Sequence, residues 1–194
     1  MPDLNSSYWN NRYLTNDFSW DLGAVSLPLK IYIDQLTDKD IRILIPGGGN
    51  SYEAQYLYEH GFANVYMLDF ASQPLQNLKK RCPSFPPDQL LKQDFFEHHD
   101  QYDLIIEQTF FCAIDPSLRK RYVTHMLHLL NSKGKLAGLL FNDELNDNKP
   151  PFGGSRVEYE SLFFPFFNKI YFEECYNSIK PRMGRELFIL LEKP

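Results

Sequence analysis

Residues 41–69 hold the chain's densest grouping of backbone and side chains able to do chemistry. The apolar run Ile41 to Ile45 stops at Pro46, and Gly47, Gly48 and Gly49 follow. Asn50 or Ser51 can open a helix with Glu53 in its first turn, and a second apolar run, Val65 to Leu68, ends at Asp69. Glycine adopts backbone conformations closed to other residues and lets a ligand come close. A carboxylate at a strand's carboxyl end can accept from both hydroxyls of a ribose. Strand, glycine turn, helix and acid-ended strand together outline a site for a nucleoside.

The type of nucleoside follows from what accompanies the glycines. After Gly47-x-Gly49 the next position of a dinucleotide fingerprint is filled by Tyr52, and no Gly-Lys-Ser/Thr is present. Without those phosphate-holding elements, the pattern favours a phosphate-free ligand such as S-adenosylmethionine, with NAD as the rival reading. Asp94, in Gln93-Asp94-Phe95-Phe96, is a candidate acceptor for an adenine amino group, with Phe95 as an apolar face for the ring. A turn cap is the plainer role for Asp94, as a helix cap is for Asp69. Trp9, Tyr13 and Trp20 stand in a polar arm. Aromatic faces attract a cation such as a sulfonium by about 0.5–2 kcal/mol each; alternatively these rings only anchor the arm.

Phe110 and Phe111, just past the apolar run ending at Glu107, are candidates to line an apolar acceptor pocket, though core packing suits them equally. Arg182 and Arg185 fall where a substrate could enter. The His98-His99 pair, between Glu97 and Asp100, reads as a solvated turn, and His125 and His128 share a helical face without a third ligand. No metal site is expected. Cys112, between Phe111 and Ala113, reads as a small buried hydrophobe.

The elements that must position these groups alternate. Strand 41–45 leads to helix 52–60, strand 65–69 to helix 74–81, and a short strand at 90–92 to strand 102–107. Pro116 opens a helix to Leu130 with Asp115 as N-cap, and Lys133-Gly134 precedes strand 135–141. Alternation of this kind makes a parallel sheet with helices on both faces. After a helix that Ser155 caps, strands 169–175 and 186–192 are joined without a crossover helix and should pair antiparallel. The expectation is a doubly wound α/β fold, a seven-stranded mostly parallel sheet closed by a C-terminal antiparallel hairpin, as in Rossmann-like class I methyltransferases. Residues 1–194 form one domain, with 1–23 an aromatic N-terminal lid.

Bulk composition excludes several classes. The chain has 194 residues, 43% hydrophobic and 15% aromatic, with a formal net charge of -5. With no basic cluster, phosphate-backbone binding lacks its electrostatic drive, so no nucleic-acid partner is expected. Cys82, Cys112 and Cys175 form no C-x-x-C pair, no secretion signal is read, and no apolar run reaches membrane-spanning length. A cytoplasmic monomer that takes a small-molecule acceptor is the expectation.

In order along the chain, these pieces resemble the thiopurine S-methyltransferase family and its halide- and thiol-methylating branch. The resemblance rests on Tyr8-Trp9-x-x-x-Tyr13, Trp20-Asp21-x-Gly23, Leu44-Ile45-Pro46-Gly47-x-Gly49 and Asp69. It continues through Asp94-Phe95-Phe96, Tyr102-Asp103-Leu104-Ile105, Phe111-Cys112-Ala113-Ile114-Asp115-Pro116 and Pro150-Pro151-Phe152. It implies that Trp9, Tyr13 and Trp20 cover S-adenosylmethionine, with Gly47 and Gly49 beside its methionine part. Asp69 would lie on the ribose, Asp94 and Phe95 on adenine, and Gln108 next to the transferring methyl, with S-adenosylhomocysteine as product. Two positions depart from the family: Tyr13 stands where tryptophan is frequent, and Gln108 where relatives place tyrosine or arginine. The implied reaction is in-line transfer to a small soft nucleophile. A thiol or thiopurine-like sulfur is favoured, and halide, selenium or tellurium acceptors are open. Proximity supplies the catalysis. An O- or N-methyltransferase and a non-catalytic nucleoside-binding module are the alternatives.

Overall fold

The apolar runs become the strands of one sheet, described for residues 2–194 in a computed structural model. Its strands are β1 (Ile43–Pro46), β2 (Val65–Asp69), β3 (Leu90–Lys92), β4 (Tyr102–Gln108), β5 (Leu130–Phe141), β6 (Asn168–Glu174) and β7 (Glu186–Glu192). Their order is β3-β2-β1-β4-β5-β7-β6. β1 to β5 run parallel, and β7 lies antiparallel between β5 and β6. The chain reverses its direction of travel across the sheet between β1 and β4, which makes the crevice beyond their carboxyl ends the expected ligand site.

The helices are α1 (Ser6–Leu14), α2 (Leu27–Asp34), α3 (Tyr52–Glu59), α4 (Ser72–Arg81), α5 (Arg119–Leu129) and α6 (Arg156–Phe163). Side-chain alternation along β1 and β4 divides the core in two. Ile43, Ile45, Leu104 and Ile106 pack with Leu29, Ile33, Ala54, Leu57, Leu75 and Leu78 of α2, α3 and α4. Leu44 and Ile105 pack on the other face with Tyr122, Val123 and Met126 of α5 and Tyr159 and Phe163 of α6. Every strand between those layers must be apolar on both sides, which is why the sequence shows runs rather than alternation.

Three boundaries differ from the sequence expectation. β1 begins at Ile43, because the Arg42 backbone N–H donates to the Asp103 carboxylate at 2.8 Å rather than to a neighbouring strand. Pro116–Leu118 forms a separate 3-10 turn before α5, with the Asp115 carboxylate accepting from Ser117 N at 2.8 Å. Lys133-Gly134 lies inside β5, where the pairing slips between Tyr102 and Leu104. Lys133 sits at φ 64 there. A Cβ on Gly134 would lie 2.8 Å from the Asn131 carbonyl oxygen and 3.1 Å from that of Tyr102. Among the described residues no helix is long and apolar enough to cross a membrane.

Candidate functional site

A cleft of about 660 Å³ opens at the carboxyl ends of β1, β2 and β4. Its floor is the turn from β1 to α3. Gly47 and Gly49 both lie in the left-handed region, at φ 56 and 53. A Cβ on Gly47 would sit 2.1 Å from the Phe110 ring, and one on Gly49 would sit 2.5 Å from the Tyr13 hydroxyl. Space and backbone conformation therefore both require glycine at these positions. Ser51 adopts the same left-handed conformation at φ 47 without being glycine. Its hydroxyl is buried at the cleft and makes no hydrogen bond, so the turn has a polar atom ready for a ligand.

Asp69 closes the neighbouring strand. Its carboxylate accepts from Gly49 N at 3.2 Å and from Ala71 N at 2.8 Å. The second bond closes a turn two residues on, ahead of α4, whose N-cap is Ala71 with no side-chain cap. Asp69 is therefore not the helix cap of its plainer reading; the first bond ties the acid to the glycine turn. Burial pushes its pKa up to about 6, partly offset by these backbone donors. Asp94 is exposed and accepts from Phe96 N at 2.8 Å as a turn cap, while still lining the cleft. Phe95 is buried beside it, its carbonyl held by the Nε2–H of His125 at 2.7 Å.

The N-terminal arm folds across this cleft. Asn5 caps α1 by accepting from Tyr8 N, and Trp9 and Tyr13, one turn apart, meet Trp20 edge-on at 5.7 and 5.9 Å. Arg12 stacks over the Trp20 ring at 4.7 Å. The arm is fixed to the domain at several points. Asn10 Oδ1 accepts from Gln73 N at 2.9 Å, Asn50 donates to Asp21 at 2.5 Å, and Arg182 donates to the Trp20 carbonyl at 2.6 Å. The rings thus anchor the arm and line the cleft at once.

The opposite wall follows β4. The Gln108 side-chain oxygen accepts from the Ser26 hydroxyl at 2.7 Å. Glu107 is fully buried; one carboxylate oxygen accepts from Phe110 N and Phe111 N at 2.8 and 2.9 Å, and the other accepts from the Tyr122 hydroxyl. Burial pushes its pKa up to about 7. Phe110, held by this carboxylate, lines the cleft beside Gly47.

Phe111 does not line the cleft. It points into the core against Tyr122, Tyr159 and Phe163, with the Arg119 guanidinium 4.9 Å from its ring. Successive residues in this turn face opposite ways, which residue type alone does not reveal. Arg182 reaches the cleft but is buried, its guanidinium engaged by Glu186 and the Trp20 carbonyl. Cys112 is buried at the cleft wall, and burial lifts its thiol to about 12. His98 is not solvated; its ring is buried and pairs with the Tyr102 hydroxyl at 2.7 Å. Among the described residues no group of His, Cys, Asp and Glu could hold a metal.

Sequence reasoning did not anticipate Ser26, Asn50 or Arg12 at the site. Ser26 and Asn50 touch it through long-range hydrogen bonds that no local spacing encodes.

The family model for thiopurine S-methyltransferase matches residues 4–189. A probable thiol methyltransferase 2 of Arabidopsis thaliana is 28% identical over 192 residues, covering 96% of this chain and 84% of that protein. Thiocyanate methyltransferase 1 of Brassica oleracea is 28% identical over 174 residues, covering 86% of this chain and 76% of that protein. Among solved structures, Burkholderia thailandensis 1,6-didemethyltoxoflavin-N1-methyltransferase, with bound 1,6-didemethyltoxoflavin and S-adenosylhomocysteine, superimposes with a TM-score of 0.76 at 15% identity. That match covers 98% of this chain and 87% of the other. The N-methyltransferase NodS of Bradyrhizobium japonicum, in complex with S-adenosylhomocysteine, gives a TM-score of 0.70 at 13% identity, covering 98% and 99%. Those structural likenesses establish the fold; the family match over nearly the whole length establishes that the chain belongs to the thiopurine S-methyltransferase family and is a methyltransferase.

Proposed function

We propose that this chain transfers a methyl group from S-adenosylmethionine to a small soft nucleophile, with sulfur as the favoured acceptor atom. The observation that carries the reading is the joint between the left-handed glycine turn and Asp69: Gly49 N donates to a buried carboxylate that faces the cleft. The unpartnered Ser51 hydroxyl beside it fits a ligand with a polar amino-acid end. The donor, when bound, supplies an electrophilic methyl group on a sulfonium. Asp69 accepts from the ribose hydroxyls, Asp94 and Phe95 flank the adenine, and Gly47 and Gly49 leave room for the methionine chain. Trp9, Tyr13 and Trp20 offer their faces to the sulfonium and exclude water, and Gln108 borders the methyl. No side chain in the cleft is needed as a base. A thiol with an ordinary pKa near 8.5 is already a few per cent thiolate at neutral pH, so positioning carries the rate.

Incubation with methyl-labelled S-adenosylmethionine and a panel of thiols, thiones, halides and selenium species, read by headspace and liquid mass spectrometry, tests the activity. Methylated sulfur product is expected, and binding of the donor with no methylated acceptor of any kind would reduce the chain to a nucleoside-binding module. The aromatic lid has its own signature. Trp9→Ala should weaken binding of S-adenosylmethionine about fivefold or more, as expected for losing a cation–π contact. S-adenosylhomocysteine carries no sulfonium and should lose less. Calorimetric titration of both ligands measures this, and equal losses would leave Trp9 a packing role only.

A further inference from the structure

We propose that Ser26 is a positioning residue for methyl transfer, holding the Gln108 amide so that its NH2 group faces the acceptor as it approaches the methyl. The inference rests on the methyltransferase reading above and concerns how one wall of that cleft is set. Ser26 stands at the N-cap of α2, where a serine hydroxyl ordinarily accepts from a backbone N–H of the helix's first turn. It makes no such cap. Pro28 removes one N–H from that turn, and the hydroxyl instead donates to the Gln108 side-chain oxygen at 2.7 Å, 82 positions away in sequence. The Ser26 backbone N–H donates at 3.3 Å to Glu53, in the first turn of α3. Ser26 and Glu53 are both buried. One serine thus joins α2, α3 and the end of β4, and forgoes the support of its own helix.

The direction of the Ser26–Gln108 bond decides what Gln108 offers the cleft. The two halves of a glutamine amide are nearly alike in shape, so hydrogen bonding determines which way the group points. The Ser26 hydroxyl has no other partner among the described residues. Were it to accept from the amide NH2, its own proton would stay buried and unpaired, a costly arrangement. With the hydroxyl donating, Gln108 Oε1 is engaged, and the NH2 is the half left to the cleft that Gln108 lines.

A donor at this place suits an in-line displacement. One lone pair of the acceptor atom forms the new bond to the methyl carbon, and the carbon–sulfur pair of the donor returns to its sulfur. The Gln108 NH2 donates to a second lone pair of the acceptor atom and keeps its own protons. Such a bond is stronger when the acceptor atom is a thiolate. A reversed amide would aim its carbonyl oxygen at the same lone pairs and push the acceptor out of line. Orientation of this kind governs the rate of a displacement between two bound partners.

The test uses the full chain with thiophenol and iodide as acceptors, and calorimetry for the affinity of S-adenosylhomocysteine. Ser26→Ala should lower kcat about tenfold while leaving that affinity within about twofold, the split expected when orientation rather than donor binding is lost. Ser26→Thr keeps the hydroxyl and should bring kcat back to within about threefold of the wild type. Gln108→Glu can still accept from Ser26 but has no NH2, and should be at least as slow as Gln108→Ala. In the Gln108→Ala background, Ser26→Ala should cost nothing further, because it acts only through that side chain. A wild-type kcat in Ser26→Ala or in Gln108→Glu overturns the inference. So does an additive loss in the double variant, which would leave Ser26 a structural tie alone. A wild type that binds S-adenosylhomocysteine yet methylates neither acceptor overturns the soft-nucleophile reading, and this inference with it.

Discussion

Glu107→Ala should lower the melting temperature by about 10 °C, the change expected for roughly 3–5 kcal/mol in a domain of this size. The carboxylate is completely buried and satisfies three donors at once: Phe110 N, Phe111 N and the Tyr122 hydroxyl. Alanine would leave all three unpaired and open a void beneath the turn that presents Phe110 to the cleft. Glu107→Gln separates charge from geometry, since its amide oxygen still accepts from both backbone groups and its NH2 can donate to Tyr122. The pH dependence distinguishes these roles. Burial raises the Glu107 pKa from 4.5 to about 7, so between those values the folded chain holds a proton that the unfolded chain releases. Its contribution is therefore most favourable below about pH 4.5 and is lost as pH rises to about 7. The stability difference, wild type minus Glu107→Gln, should fall over that window when measured by urea denaturation. A flat difference would mean that Glu107 is not buried as an acid.

Much of this arrangement was legible in the sequence because it is local. The strand from Val65 to Asp69 and the helix after Ser155 fall where their residues place them. The Gly47 and Gly49 conformations follow from the residue type at a strand-to-helix turn. Asp69 was readable because strand-end acids recur in nucleoside sites. What escaped was set at a distance. Nothing in Phe110-Phe111 says which ring faces the cleft; that depends on Glu107 gripping both backbone N–H groups from beneath. The burial of His98 depends on Tyr102, and the commitment of Arg182 depends on a carbonyl in the arm, 162 residues away in sequence. The left-handed Ser51 carries no sequence signal, because serine ordinarily avoids that conformation.

These long-range ties also bind the N-terminal arm and the cleft wall into one unit. Asp21 and Trp20 are held by Asn50 of the glycine turn and Arg182 of the hairpin before β7. Asn10 of α1 supplies the acceptor for Gln73 N in the first turn of α4, where that helix has no capping side chain of its own. The arm is thus part of the site's construction and not an appendage to it.

Asp69→Ala should weaken S-adenosylhomocysteine binding by about tenfold at least, and nearer 100-fold where both ribose hydroxyls donate to the carboxylate, since each charge-assisted bond contributes about 1.5–3 kcal/mol. The carboxylate must be ionised to accept from both hydroxyls. Burial sets its pKa at about 6, so binding in the wild type should weaken as pH falls through that value. Asp69→Asn cannot titrate; its affinity should be low and independent of pH over the same range. The same variant separates binding from folding. A carboxyl whose folded pKa is raised favours the folded state when protonated and destabilises it when ionised. At pH 7 the wild type therefore carries an unfavourable buried charge that asparagine removes while keeping one oxygen to accept from Ala71 N or Gly49 N. Asp69→Asn should match or exceed the wild type in melting temperature while binding the nucleoside poorly, the signature of a residue kept for its ligand at a cost in stability. A variant that melts early but binds with wild-type affinity would leave Asp69 only the structural role of holding the Gly49 and Ala71 backbone.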